Sequence, residues 1–194
     1  MSKADPESQK REKRKQIRWF VIVFFVTILV SGIISLVSEE IMAVSSLAVA
    51  FCILLAIVLV GILFDIIGVA VTSADEKPFH SMAARKLPGA LEAIKLLRNA
   101  ERVSSICNDV VGDICGVVSG SASATIAAQI LLNFEFSWPR VLTLVMSALV
   151  SGLTVCGKAV GKSFAINSST NIVYGVGKTI HFLRRIPKIF RKKK

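Results

Sequence analysis

Four long stretches of this chain are almost free of charge, and its polar residues gather between them. The first apolar stretch runs from Trp19 to Val37. At 1.5 Å per residue it covers about 28 Å, close to the depth of a bilayer's hydrocarbon core. It is longer than the apolar centre of a signal peptide and is not followed by a small-x-small cleavage pattern, so residues 19–38 read as a retained anchor. After Glu39 and Glu40 a second run extends from Ile41 to about Thr72, broken only by Asp65. That is more than one crossing needs, so it must tilt, kink or emerge at an end. A third crossing is expected over about Val103–Leu132 and a fourth over about Val141–Val160. The short link between them, Asn133-Phe-Glu-Phe-Ser-Trp-Pro-Arg140, carries aromatics suited to a headgroup layer.

The segment 73–104 is polar, and Pro88-Gly89 divides it into two short helices within 76–102. Leu87, Leu91, Ile94 and Leu97 recur at helical spacing opposite the basic side chains, which predicts a helix lying in the membrane interface. The end of the chain repeats the pattern, with Ile172, Val176, Ile180 and Leu183 on one side. Its basic tail, 176–194, closes on Arg184-Arg185 and Arg191-Lys-Lys-Lys194, a composition suited to anionic lipid headgroups.

Composition agrees with this pattern. The hydrophobic fraction is 53% and the mean hydropathy +0.65, above the range of soluble domains. The net charge of +11 would suggest nucleic acid on a soluble protein. Here no recognition motif accompanies it and the charge lies outside the apolar runs, so it orients the chain in a membrane instead. Of 24 Lys and Arg, seven lie in the arm 1–18, six in 73–104 and ten from Lys158 onward, which leaves Arg140 alone opposite. Excess positive charge marks the cytoplasmic side, so four crossings put both termini and the 73–104 segment in the cytoplasm. Three crossings would place the basic arm outside. The expected fold is therefore all-α: an integral protein of the plasma membrane with four transmembrane helices, a cytoplasmic juxtamembrane belt and a basic amphipathic C-terminal helix.

Chemistry is sparse. Cys52, Cys107, Cys115 and Cys156 sit in apolar stretches without a CxxC pair and read as reduced thiols. His80 and His181 are interfacial and far apart in sequence. No nucleophile triad, phosphate loop, HExxH or GxGxxG pattern appears, which points away from an enzyme. Ionisable groups at membrane depth are costly, so Asp65, Asp109, Asp113 and Lys158 stand out. Asp109 and Asp113 are four apart and flanked by Asn108, on a segment that also carries Gly112, Gly116 and Gly120 at every fourth position. Such a ridge of small residues permits close helix approach. Two readings follow: an oxygen-lined site for a hard divalent cation, or Asp residues that pair with Lys158 or Lys162 and fix the packing.

The order of these features resembles the membrane domain of the CorC/CorB and cyclin M family, which is linked to transport of magnesium and other divalent cations. Phe64-Asp65-Ile-Ile-Gly68-Val-Ala70-Val-Thr-Ser73 stands where that family has F-S-x-x-E-x-A-L-x-S. Asn99-Ala-Glu101-Arg102 resembles its N-P-E-R, and Asn108-Asp109-Val-Val-Gly112-Asp113 its G-N-N-x-x-N. Gly157-Lys158-Ala-Val-Gly161-Lys162-Ser163 resembles G-E-x-x-P-K-S. The similarity covers about 41–175, and no CBS pair follows within these residues. It implies a homodimer that binds Mg²⁺ near midplane through Asp65, Asn108, Asp109 and Asp113. The family's two Glu positions fall on Gly68 and Lys158, and an ammonium there repels a divalent ion by several kcal/mol at an effective dielectric near 20. The resemblance therefore implies either a divalent cation transporter or a non-transporting scaffold or accessory subunit on the same fold.

Overall fold

A computed structural model describes residues 6–133 and 138–191, and all regular structure among them is helical. Four helical segments are long and apolar enough to cross a membrane: Ile17–Met42, Leu47–Ser73, Ala100–Asn133 and Pro139–Asn167. Residues 134–137 of the aromatic link and the last three lysines of the tail lie outside the described residues.

Helix α1 (Pro6–Val44) joins the basic arm and the anchor without a break, and at 39 residues it is about 58 Å long. The second apolar run divides at Ser45-Ser46. Ser45 Oγ donates back to the Ile41 carbonyl at 2.6 Å, and Ser46 takes an extended backbone (φ −64°, ψ 153°). Helix α2 (Leu47–Ser73) therefore starts six residues later than Ile41, which removes the excess length. The first residues of the run belong to α1.

The third crossing consists of α5 (Ala100–Ser105), a π-helical stretch over Ile106–Gly112 and α6 (Asp113–Asn133). Helix α6 packs against α1, α2 and α7 (Pro139–Asn167). One core, of Met42, Ala50, Leu54, Val58, Ala122 and Ile126, joins the first three. Along α1 before buried Met42 the half-buried positions include Val23, Thr27, Ser31 and Ser35, a stripe repeating every fourth residue, while Phe20, Phe24 and Leu29 are exposed. Gln129 Nε2 donates to the Met42 carbonyl and ties α6 to the end of α1. Ser123 and Ser147 hydroxyls meet at 3.5 Å between α6 and α7. The outer surface of α1, α2 and α7 is rich in exposed large apolar side chains, as contact with lipid would require.

A second core gathers Ala70, Val71, Phe79, Ala93, Ile94, Ala165 and Val173 beneath the crossings. It is built from the ends of α2 and α7 with α3 (Lys77–Ala84), α4 (Ala90–Arg98) and α8 (Ser169–Arg191). Helices α4 and α8 touch through glycine. A Cβ on Gly177 would stand 2.5 Å from the Gly89 carbonyl oxygen, and Gly89 itself has φ +89°. This contact sets the rotation of α4, so its inward face is Ala90, Ala93 and Ile94. The expected stripe therefore splits: Ile94 is buried and Leu97 half-buried, but Leu87 and Leu91 are exposed. On α8 the buried positions are Val173 and Gly177, and Leu183 is exposed instead of joining that side.

His181 Nδ1 lies 3.3 Å from Glu92 Oε1 across the same interface. Burial pushes the Glu92 carboxyl up, but its own backbone amide, the His181 ring and Lys95 outweigh this and hold it below its ordinary value. Helix α3 ends in a Schellman turn: Leu87 N–H donates to the Met82 carbonyl at 3.1 Å and Lys86 N–H to Ala83 at 2.9 Å. The left-handed position of that turn, usually Gly, is Lys86 (φ 55°), at a cost of about 1 kcal/mol.

Candidate functional site

Asp65 is the one buried carboxylate among the described residues, with 4% of its surface exposed. Helix α2 presents it toward α7, whose sequence Gly157-Lys158-Ala-Val-Gly161-Lys162 repeats glycine and lysine at a spacing of four. That spacing puts both glycines on one face and both lysines on the adjoining one. A Cβ on Gly157 would run into the Ile62 side chain, and one on Gly161 would stand 2.8 Å from Ile66 Cγ1. The glycines thus let α7 approach α2, and the lysines reach Asp65. Lys158 Nζ lies 3.9 Å from Asp65 Oδ1, and Lys162 Nζ lies 3.9 Å from Oδ2.

At that separation unlike unit charges attract by about 4 kcal/mol at an effective dielectric near 20, against the desolvation of each group. Lys158 is the more enclosed, with 24% of its side chain exposed, and Lys162 is half open at 54%. One acid facing two bases carries a net charge of plus one when all three are ionised. The cluster lies eight residues from the end of α2, about 12 Å by helical rise. It lies on the C-terminal side of the helix's midpoint.

Asn108 approaches from the π-helical stretch. Its amide sits so close over Gly68 that any Cβ there would collide with Asn108 Oδ1. Asn108 Nδ2 donates to Ser104 Oγ at 3.2 Å, while Asn108 Oδ1 and Asp65 Oδ2 are buried and accept no hydrogen bond. Asp65 and Asn108 thus line the same α2 interface, Asn108 packing one turn beyond Asp65.

Asp109 and Asp113 do not join them. Both are exposed, on the face of the third crossing that also holds Gly116 and Gly120, where an added Cβ would meet nothing within 4 Å. Gly112 leaves that ridge. At the end of the π-helical stretch it is buried, and its Cβ position falls 3.5 Å from Lys158 Nζ. Among the described residues neither Asp109 nor Asp113 forms an ion pair, and the two lysines go to Asp65 instead. No three His, Cys, Asp or Glu side chains converge on a common point among the described residues. An apolar groove of about 370 Å³ between α2 and α7, lined by Phe51, Leu55, Val58, Met146, Val150 and Leu153, lies away from Asp65 and offers no polar ligand.

The glycine–lysine alternation on α7 was visible in the sequence as two residues of each kind four apart. What it lacked was the partner, because nothing local says which acid both lysines meet. Comparison with protein family models, with curated proteins and with solved structures finds no match to this chain.

Proposed function

We propose that this protein is a non-transporting membrane scaffold or accessory subunit on a transporter-like helical frame, in which lysine stands in for a bound cation. The observation that carries this is the placement of Lys158 and Lys162 on the two oxygens of Asp65. A divalent ion at Asp65 would have to displace or face two ammonium groups, and Gly68 offers no carboxylate to help it. In the CorC/CorB and cyclin M pattern both Gly68 and Lys158 stand at acidic positions, so the same substitutions remove ligands and add a counter-charge.

Divalent cation transport, with Mg²⁺ as the ion, is the second reading. It is favoured by Asn108 Oδ1 and Asp65 Oδ2, two buried acceptors without a donor on facing helices. Asp109 and Asp113 would enter such a site only through a homodimer packed on the open Gly116–Gly120 face. Melting curves with and without Mg²⁺ separate the two readings.

In either case the protein spans the plasma membrane with both termini, the belt and the basic tail in the cytoplasm, as the Lys and Arg distribution favours. Cysteines introduced at Val44 and Trp138 are expected to react with an impermeant thiol reagent added outside intact cells. One at Lys178 is expected to react only after permeabilisation; labelling of Lys178→Cys from outside would overturn this orientation.

A further inference from the structure

The turn between α3 and α4 is a compact basic and apolar knuckle that no feature of the Asp65 cluster accounts for. Arg85, Lys86, Leu87 and Pro88 are consecutive and all exposed. Leu87 keeps 41% of its surface open and Leu91, one turn later, 62%. These are large values for leucines on helices that bury their neighbours Ala90, Ala93 and Ile94. The Gly89–Gly177 contact brings the backbone of Lys178, also exposed, directly against the turn. Three cations and two open leucines thus share one corner of the molecule. Among the described residues no carboxylate lies within ion-pair distance of Arg85, Lys86 or Lys178, since Glu76 is taken by Arg98 and His80, and Glu92 by His181.

The turn itself fixes the position of Lys86. It holds a left-handed conformation in which glycine would be unstrained, and its N–H and that of Leu87 make the two hydrogen bonds of the turn.

We infer that Arg85, Lys86 and Lys178 hold an anionic phospholipid headgroup of the bilayer that the protein spans, with Leu87 and Leu91 seated at the boundary with the acyl chains. The surface fits this occupant by charge and by its mixture of side chains. Basic residues take the phosphodiester, and open leucines beside them take the acyl boundary, which an acidic peptide would not require. The site is separate from the polybasic end of the tail, and it rests on the membrane assignment alone, not on the fate of Asp65.

The test uses the full chain and leaves the tail intact. Native mass spectrometry after release from nanodiscs of phosphatidylcholine and phosphatidylglycerol counts retained lipid on the parent and on Arg85→Gln/Lys86→Gln/Lys178→Gln. The triple variant is expected to lose at least one tightly retained phosphatidylglycerol and to keep the parent's phosphatidylcholine count. Lys86→Gly guards against a folding artefact. It relieves the backbone, so it should melt higher than the parent in lipid-free detergent, yet gain less from added phosphatidylglycerol. Inorganic phosphate added in place of lipid should not reproduce the parent's gain, because it cannot use the leucines. Unchanged phosphatidylglycerol retention in the triple variant, or an equal lipid gain in Lys86→Gly, would overturn the inference and leave the knuckle as a water-facing surface open to an acidic protein.

Discussion

Lys158→Glu is expected to destabilise the protein by about 3–5 kcal/mol in metal-free buffer, the cost of breaking a buried ion pair by removing one partner. The substitution deletes the more enclosed of the two ammonium groups and sets a second carboxylate beside Asp65, 4% exposed. Lys162 alone then faces two acids, from a half-open position where water screens it. Lys162→Gln should cost less, because that side chain is already half in solvent. Thermal or denaturant unfolding in one detergent ranks the three proteins. A Lys158→Glu variant as stable as the parent without metal would mean that the lysine does not compensate Asp65. A variant stabilised specifically by Mg²⁺ would mean that the frame still holds a cation site, closed in the parent by one ammonium group.

Gly177→Leu should have an effect of similar size at the other end of the molecule. A Cβ at this position would stand 2.5 Å from the Gly89 carbonyl oxygen and 3.0 Å from the Ala93 amide nitrogen. Both are backbone atoms, so neither can turn aside as the end of a side chain would. Gly89 cannot yield easily either, because its φ of +89° and its own contact with the Lys178 backbone fix the turn. Helices α4 and α8 must separate, exposing Val173 and Ile94 and parting Glu92 from His181. The loss should be on the order of 3 kcal/mol, at the upper end for overpacking. Hydrogen exchange reads it directly: amides of α8 should lose protection while those of α2 and α6 keep theirs. Undiminished protection of α8 would show that the glycine contact does not hold it.

The four long apolar helices were legible because each is a long run with few charges. Their boundaries were less so. Ser45 and Ser46 carry no charge, so the break between α1 and α2 passed as part of one long run. It depends on a hydroxyl bonding back to Ile41, which hydropathy does not register. The stripe on α4 was read from spacing, but which side faces inward was decided by Gly89 meeting Gly177, nearly ninety residues away.

At the site, Asp65 stood out as a lone charge in an apolar run, and Lys158 as its opposite. Placing Gly112, Gly116 and Gly120 on one ridge, and Asp109 and Asp113 on one face, assumed α-helical angles throughout. The stretch from Ile106 to Gly112 is π-helical, Gly112 is buried beside Lys158, and the two acids are exposed. No composition rule marks a π turn, since it reflects how Asn108 and its neighbours settle against α2. Asn108 over Gly68 is likewise a contact between distant helices, and the small residue was the only sign that something had to fit there.

If lysine takes the place of a cation at Asp65, the parent protein has no site left there for Mg²⁺. The most direct measurement is the melting temperature of the purified parent in detergent, with EDTA and then with Mg²⁺ raised through the millimolar range at constant ionic strength. No specific shift is expected, because a ligand that does not bind the folded state cannot stabilise it. A rise that grows with the logarithm of Mg²⁺ concentration, reaching about 2.7 kcal/mol at one hundred times the dissociation constant, would show that Asp65 still holds the ion.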